Sequence, residues 1–308
     1  MRSPAAIRVA SVQRFSTEDG RGIRTTLFLR GCNLRCPWCH NPETVPAERR
    51  LLFWQSRCTG CGGCARSCPN GAHSVRGPSH TFDASRCAGC GACVEACPSA
   101  ALALSGYDVP FSELDGLCAV LTADREYYEA TGGGVTFSGG EPLLQPEAVA
   151  ELAWRCRLLN IHTLLDTAAC VDFSAFEPSL PYIDEYYVDL KCPTEETYRA
   201  LTGGSLRQVT AALTRLQALG KDVTVRIPVI PGVNDTLDCC GAFSALLLPT
   251  GVRRVSLLPF HRLGAGKYAA LGRRYAYAET PPLTPEALAP LLAGFDPSLH
   301  AAVQGLDG

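Results

Sequence analysis

Apolar and polar positions follow two periods along this chain. Residues 23–30 (IRTTLFLR) are β-branched and apolar, the pattern of a strand. Residues 111–124 read as a helix, 135–138 as a short strand and 147–159 as a helix. Two further strands fall at 161–167 (IHTLLDT) and 184–191 (DEYYVDLK). Residues 194–219 read as helix broken near Gly203 and Gly204. A strand at 222–230, a helix at 237–248 and a sixth strand at 253–260 (RRVSLLPF) complete the series. Strand–helix alternation predicts a parallel α/β sheet. Six units form either a partial barrel or an open sheet, and periodicity allows both.

Residues 50–104 break this rhythm. They are rich in Cys, Gly and Ala and contain an internal repeat. Residues 58–68 read CTGCGGCARSC before Pro69, and residues 87–97 read CAGCGACVEAC before Pro98. Both are C-x2-C-x2-C-x3-C-P, the run of bacterial two-cluster ferredoxins. In that run the fourth cysteine crosses to the other cluster. The expected ligand sets are Cys58, Cys61, Cys64 and Cys97 for one, and Cys87, Cys90, Cys93 and Cys68 for the other. A pair of zinc knuckles is the alternative, which the doubled spacing disfavours. The chain thus divides into 50–104, a two-cluster insert, and 1–49 with 105–308, the α/β domain that carries it.

Seventeen cysteines in 308 residues need a purpose. A secreted disulfide framework goes with short chains and a secretory signal; the first twenty residues lack a long apolar core. No apolar run approaches the roughly 20 residues of a membrane span. A net charge of -2 gives no reason to expect nucleic acid or membrane. A cytoplasmic protein is expected.

The stretch GCNLRCPWCHN holds three more cysteines, Cys32, Cys36 and Cys39, directly after the first strand. Other polar and glycine-rich signatures also follow strands: SGGEPLL after the second, Asp166 and Thr167 at the third, Asp189 and Lys191 at the fourth. Arg226 and PGVND lie near the fifth, and His261 ends the sixth. Ligand sites of parallel α/β architectures lie at the carboxyl ends of strands, so these six segments are expected to share one cavity. Three thiolates hold a 4Fe–4S cluster with one iron left open, as an open position marks a catalytic metal. A three-cysteine zinc site completed by His40 is the alternative reading of the motif alone.

C-x3-C-x2-C with Trp38 before the last cysteine, together with Ser138-Gly-Gly-Glu-Pro, resembles the radical SAM enzymes. DGRGIRTTLFLRGCNLRCPWCHNPET, the ferredoxin insert, GGGVTFSGGEPLLQ, LDT, YYVDLK, RIPVIPGVND and LLPFHRLGAGKY narrow this. Over nearly the whole chain the sequence resembles the activating enzymes of glycyl radical enzymes. The resemblance implies a partial (β/α)6 radical SAM barrel with an inserted bacterial-type 2×(4Fe–4S) ferredoxin domain. It implies three 4Fe–4S clusters, one of which binds S-adenosylmethionine (SAM) through its amino and carboxylate groups. One electron then splits SAM into methionine and a 5′-deoxyadenosyl radical, which removes a Cα hydrogen from a glycine of a partner enzyme. A flavodoxin or ferredoxin would supply the electron, in an anaerobic setting.

Residue by residue, the resemblance gives the catalytic cluster to Cys32, Cys36 and Cys39. It puts Trp38 and the His40 backbone near the adenine, and Gly139, Gly140 and Glu141 at the SAM amino group. Asp189, Lys191 and His261 surround SAM. Arg226 would partner a SAM carboxylate or substrate backbone. Asp166 and Thr167, with Val188 and Asp189, resemble a monovalent-cation site, where a cation would offset the carboxylates. As structural alternatives, Asp166, Asp189 and Lys191 form a buried ion pair, Arg226 a barrel salt bridge and His261 a strand-end cap.

Two departures stand out. Arg21 replaces the proline of a GPGIR stretch that helps bind the partner's glycine loop, with Arg24 expected to act in docking. Ala168, Ala169 and Cys170 follow Asp166-Thr167 where the family often has glycine. Cys118, Cys156, Cys170, Cys192, Cys239 and Cys240 match no ligand motif and are expected to be small buried hydrophobes. Two other functions are compatible with parts of the chain: a radical SAM enzyme acting on a small molecule or peptide, and an electron-transfer protein using the insert alone.

Overall fold

A computed structural model describes residues 5–77 and 79–306. In chain order its strands are β1 (Ala6–Ser16), β2 (Arg24–Leu29), β3 (Leu51–Phe53), β4 (His73–Arg76), β5 (Ser79–Phe82), β6 (Leu102–Leu104) and β7 (Tyr107–Pro110). The remainder are β8 (Gly134–Gly139), β9 (His162–Thr167), β10 (Glu185–Asp189), β11 (Asp222–Val229), β12 (Arg254–Pro259) and β13 (His300–Val303). Nine of them form one sheet in the order β13-β12-β11-β10-β9-β8-β2-β1-β7. From β2 through β13 every pairing is parallel. β1 and β7 add an antiparallel edge.

The sheet is open at β13 and β7, so the architecture is a partial barrel. All six expected strands are present. The expectation of six parallel strands falls one short: β13 adds a seventh.

Helices pack on the outer face between the strands. The helix Pro146–Leu158 buries Val149, Leu152, Ala153 and Cys156 at helical spacing. The expected break near Gly203 and Gly204 separates Glu195–Thr202 from Leu206–Ala218. Thr194 caps the first of these through the Thr197 amide, and Gly203 ends it at φ 74°, a conformation open to glycine at little cost. The helix expected at 111–124 begins as a 3-10 turn and runs as α-helix over Leu114–Thr122. A second helix, Arg125–Thr131, follows it.

Residues 51–104 contribute no strand to the large sheet. β3 and β6 pair antiparallel at the base of this segment, and β4 and β5 form a hairpin within it. Leu51, Cys64, Cys93 and Leu102 form its own small core, separate from the main one.

Candidate active site

Period-2 alternation puts one row of side chains from each parallel strand inside the partial barrel. On β10, Tyr186 and Val188 are buried against the helices, so Glu185, Tyr187 and Asp189 face the other way. In register with them, Asp166 opposes Tyr187, and Arg226 opposes Asp189. The lumen is therefore polar, and its charged groups come from several strands.

The Cys loop leaves the carboxyl end of β2. It is fixed by backbone bonds from Gly31 to Thr44 (2.7 Å), Cys32 to Val45 (3.0 Å) and Arg35 to Thr202 (2.8 Å). Asn33 donates to the Cys170 carbonyl at 2.6 Å. The glycine turn after β8 packs directly on this loop. Gly140 N–H donates to Leu29 O at 2.9 Å and Glu141 N–H to Gly31 O at 2.8 Å. A Cβ on Gly140 would lie 2.3 Å from the Gly31 carbonyl oxygen, so only glycine permits this approach.

Glu141 is fully buried. Its carboxylate accepts the Thr167 hydroxyl at 2.7 Å, the Leu143 amide at 3.0 Å and the Ala168 amide at 2.9 Å. Burial pushes its pKa up to about 7, against these hydrogen bonds. Both oxygens are engaged by protein, so Glu141 braces the glycine turn to the end of β9. Ala169, in the turn where the family often has glycine, sits at φ 53°, a region costly for a residue with a Cβ.

Behind the loop runs a chain of ionised groups. Ser138 donates to Asp166 at 2.7 Å. The Arg226 guanidinium lies 3.2 Å from Asp166 and 3.3 Å from Asp189, and Lys191 lies 2.9 Å from Asp189. Burial raises Asp166, with Arg226 opposing. Burial also pushes Asp189 upward, but Lys191 and Arg226 together outweigh it and hold it below the usual carboxylate range. Arg226 and Lys191 thus face the two carboxylates, Asp166 and Asp189, at which a monovalent cation is expected together with Thr167 and Val188. The Thr167 hydroxyl is turned to Glu141 instead. Asp166, Asp189, Lys191 and Arg226 form the buried ion pairs expected as the structural alternative.

Lys191 lies near enough to all three loop thiols to favour their ionised forms. Burial raises Cys32 to about 11 and Cys36 to about 12, and raises Cys39 as well. Such thiols surrender their protons to a metal rather than to water. Trp38 is buried and packs edge-on against Tyr277. His40 and His261 stack at 3.7 Å, and His40 Nε2–H donates to the His261 carbonyl at 3.0 Å. Burial lowers His40 to about 4. His40 is thus tied through Nε2 to the loop after β12.

Two cavities lie in the 51–104 segment. One is lined by Cys68, Cys87, Cys90 and Cys93. The other is lined by Cys58, Cys61, Cys64 and Cys97. Each gathers three cysteines of one repeat and the fourth of the other. Four thiols around one cavity suit a closed cluster, and three thiols against a glycine cradle suit an open one.

Several groups near these sites were not singled out from sequence. Tyr198 is fully buried, with its hydroxyl unpartnered among the described residues, near Lys191 and Cys36. A lone helical Tyr carries no sequence signal for this. His73 and His80 lie beside the insert cavities. Arg24 overturns an expectation. It is 0 % exposed and donates to Thr136 Oγ1 at 2.6 Å and Val135 O at 2.8 Å. It lies at the amino end of β2, remote along the strand from the Cys loop, and holds the barrel together rather than docking a partner. Of the six unassigned cysteines, Cys156, Cys170, Cys192 and Cys240 are buried, while Cys118 and Cys239 are half-buried.

Residues 123–237 match the model of the radical SAM superfamily, and residues 57–101 that of the 4Fe-4S dicluster domain. The chain is 35% identical over 283 residues to the choline trimethylamine-lyase activating enzyme of Oleidesulfovibrio alaskensis, covering 90% of each chain. It is 38% identical over 277 residues to the benzylsuccinate synthase activating enzyme of Thauera aromatica, covering 87% of this chain and 83% of that one. A radical SAM methyltransferase from Sphaerobacter thermophilus shares the fold, with a TM-score of 0.52 at 16% identity over 97% of this chain and 77% of that one.

Proposed function

The chain belongs to the radical SAM activating enzymes of glycyl radical enzymes, and we propose that its activity is carried by the loop of Cys32, Cys36 and Cys39 set against the Gly139–Gly140 turn. It is an iron–sulfur enzyme that uses SAM, and its protein substrate is a glycyl radical enzyme. That juxtaposition supports the reading: three thiols, a close glycine backbone and a set of buried charges meet at the carboxyl ends of one parallel sheet.

In this reading Cys32, Cys36 and Cys39 hold a 4Fe–4S cluster whose fourth iron takes SAM. When bound, the pair supplies a primary carbon radical able to remove a glycine Cα hydrogen. The protein's own residues bind and shield. Gly139 and Gly140 offer backbone to the SAM amino group, with Glu141 holding that backbone in place. Asp189, Lys191 and Arg226 present paired charges to the polar parts of SAM. Trp38, His40 and His261 wall the adenine side. Keeping water out of the lumen protects a reactive radical from side reactions.

Residues 50–104 form a two-cluster module and 1–49 with 105–308 the barrel. Its two cavities hold two further 4Fe–4S clusters, three in all, on the ligand sets Cys58, Cys61, Cys64, Cys97 and Cys68, Cys87, Cys90, Cys93. They relay an electron from a flavodoxin or ferredoxin. Cys61 and Cys90 are the exposed members, where a donor protein would approach. Among the described residues no helix is long and apolar enough to cross a membrane. Eleven cysteines given to clusters rather than to disulfides fit a reducing, cytoplasmic setting.

The test is iron content and SAM cleavage. Anaerobically reconstituted protein should bind about twelve iron atoms per chain and release 5′-deoxyadenosine under a chemical reductant. Cys36→Ala should abolish cleavage and keep about eight iron atoms. Cleavage that survives in Cys36→Ala would refute the assignment.

A further inference from the structure

The β4–β5 hairpin places two imidazoles between the two cysteine-lined cavities. Period-2 alternation turns His73 and Val75 of β4, and His80 and Phe82 of β5, to the same inner face. His73 and His80 are 6 % and 7 % exposed. His73 lines the cavity of Cys68, Cys87, Cys90 and Cys93, and His80 that of Cys58, Cys61, Cys64 and Cys97. Their rings are joined, with His73 Nδ1 2.9 Å from His80 Nε2. His80 Nδ1 lies 3.4 Å from Cys58 Sγ, and its Nε2 3.6 Å from Cys64 Sγ. Phe53 packs on His80 at 4.2 Å and Phe82 on His73 at 5.0 Å, so both rings are clamped.

The hydrogen positions follow from the sulfur. A cluster-bound cysteine is a thiolate, an acceptor only. One hydrogen lies between His73 Nδ1 and His80 Nε2. If His80 Nε2 carried it, a neutral His80 would turn a bare Nδ1 lone pair on the Cys58 thiolate. If His73 Nδ1 carries it, His80 is protonated at Nδ1 and donates to Cys58. The second arrangement gives a donor to Cys58, the nearer of the two sulfurs at 3.4 Å, while Cys64, 3.6 Å from Nε2, receives none from His80; the nearer thiolate thereby selects the tautomer. The cavities then differ. Cys58 receives an imidazole N–H, and Cys97 lies 3.7 Å from the Ser99 hydroxyl. At the other cavity the donors to Cys68 and Cys87 are the backbone amides of Ala72 and Gly89.

Resting on the cluster assignment above, we propose that His80, oriented by His73, donates a hydrogen bond to the Cys58 thiolate and makes the Cys58/Cys61/Cys64/Cys97 cluster the more easily reduced of the two in the insert. The reduced cluster carries one more negative charge, and a donor to its sulfur stabilises that state more than the oxidised one. The electron transferred between the clusters is single, and the hydrogen-bonding proton stays on His80. His80 is a positioning residue for the electron, and His73 sets its tautomer.

The experiment is an anaerobic redox titration of the reconstituted full chain, followed by electron paramagnetic resonance, with histidine labelled with ¹⁵N. Two insert clusters should reduce at separate potentials. The earlier one should show a histidine nitrogen coupling in pulsed spectra of the wild type. His80→Phe should shift the oxidised-to-reduced ratio of that cluster about tenfold at fixed potential, or about 59 mV for one electron, and leave the other unmoved. His80→Gln, which keeps an N–H donor, should restore part of the shift. Assembled clusters with no nitrogen coupling in the wild type, or with potentials unmoved in His80→Phe, would overturn the proposal alone. Wild-type protein lacking insert iron, or holding one metal ion at Cys64, His73 and His80, would overturn the cluster assignment itself and the proposal with it.

Discussion

The Glu141 carboxylate accepts the Thr167 hydroxyl at 2.7 Å and so ties the glycine turn after β8 to the end of β9. Two strand ends that carry the site are thereby locked together from inside. Glu141→Gln replaces one buried acceptor oxygen with a donor, which then faces an N–H or O–H with nothing to accept. The variant should lose about 1–3 kcal/mol of stability and bind SAM more weakly. Thermal melting and isothermal titration check this; unchanged values for both would remove Glu141 from the bracing role.

Gly140→Ala asks whether close approach shapes the Cys loop. The added methyl would collide with the Gly31 carbonyl at 2.3 Å, and backbone cannot step aside there. Reconstituted Gly140→Ala should hold about eight iron atoms instead of about twelve. Full iron with normal SAM cleavage would mean that the cradle tolerates a side chain.

Arg24 should behave as a core residue. Arg24→Glu puts a buried carboxylate against the Val135 carbonyl and removes the guanidinium bonds to Thr136 and Val135. The expected cost is about 3–5 kcal/mol, seen as poor recovery of folded protein. Arg21 is exposed, and Arg21→Glu should change stability by less than about 0.5 kcal/mol. A stable Arg24→Glu that cleaves SAM but fails only with the partner would restore the docking role.

Acid sensitivity has a local source. Asp124 is buried beneath Arg14, whose hydrogen bond and charge hold it below the usual carboxylate range. Its stabilising effect is present above the unfolded value of about 3.9 and is lost as pH falls through the folded value. The gap in melting temperature between wild type and Asp124→Asn should be constant near pH 6 and narrow below about pH 4. A gap that widened on acidification would contradict the sign.

The sequence revealed the site through spacing and the strands through alternation. The six strands that carry the site were legible because each alternates or runs apolar between turn residues. β13 was not, because HAAV is four residues long and follows an irregular stretch. The ligand sets of the insert were readable from a repeated spacing. The contacts that position the site were not, because they join residues far apart in the chain: Arg226 to Asp166, Glu141 to Thr167, Asn33 to Cys170. Arg24 misled for a physical reason, since a charged residue is usually exposed and this one lines a polar lumen. His73 and His80 were overlooked because their inner face reads as polar unless the cavities beside it are seen.

The most direct measurement is electron paramagnetic resonance of the reduced, reconstituted protein mixed anaerobically with SAM and the candidate glycyl radical enzyme encoded nearest its gene. A doublet from the remaining glycine α-hydrogen, absent with Cys36→Ala, is the predicted result. Steady 5′-deoxyadenosine release with no doublet from any glycyl radical enzyme of the same cell would contradict the account.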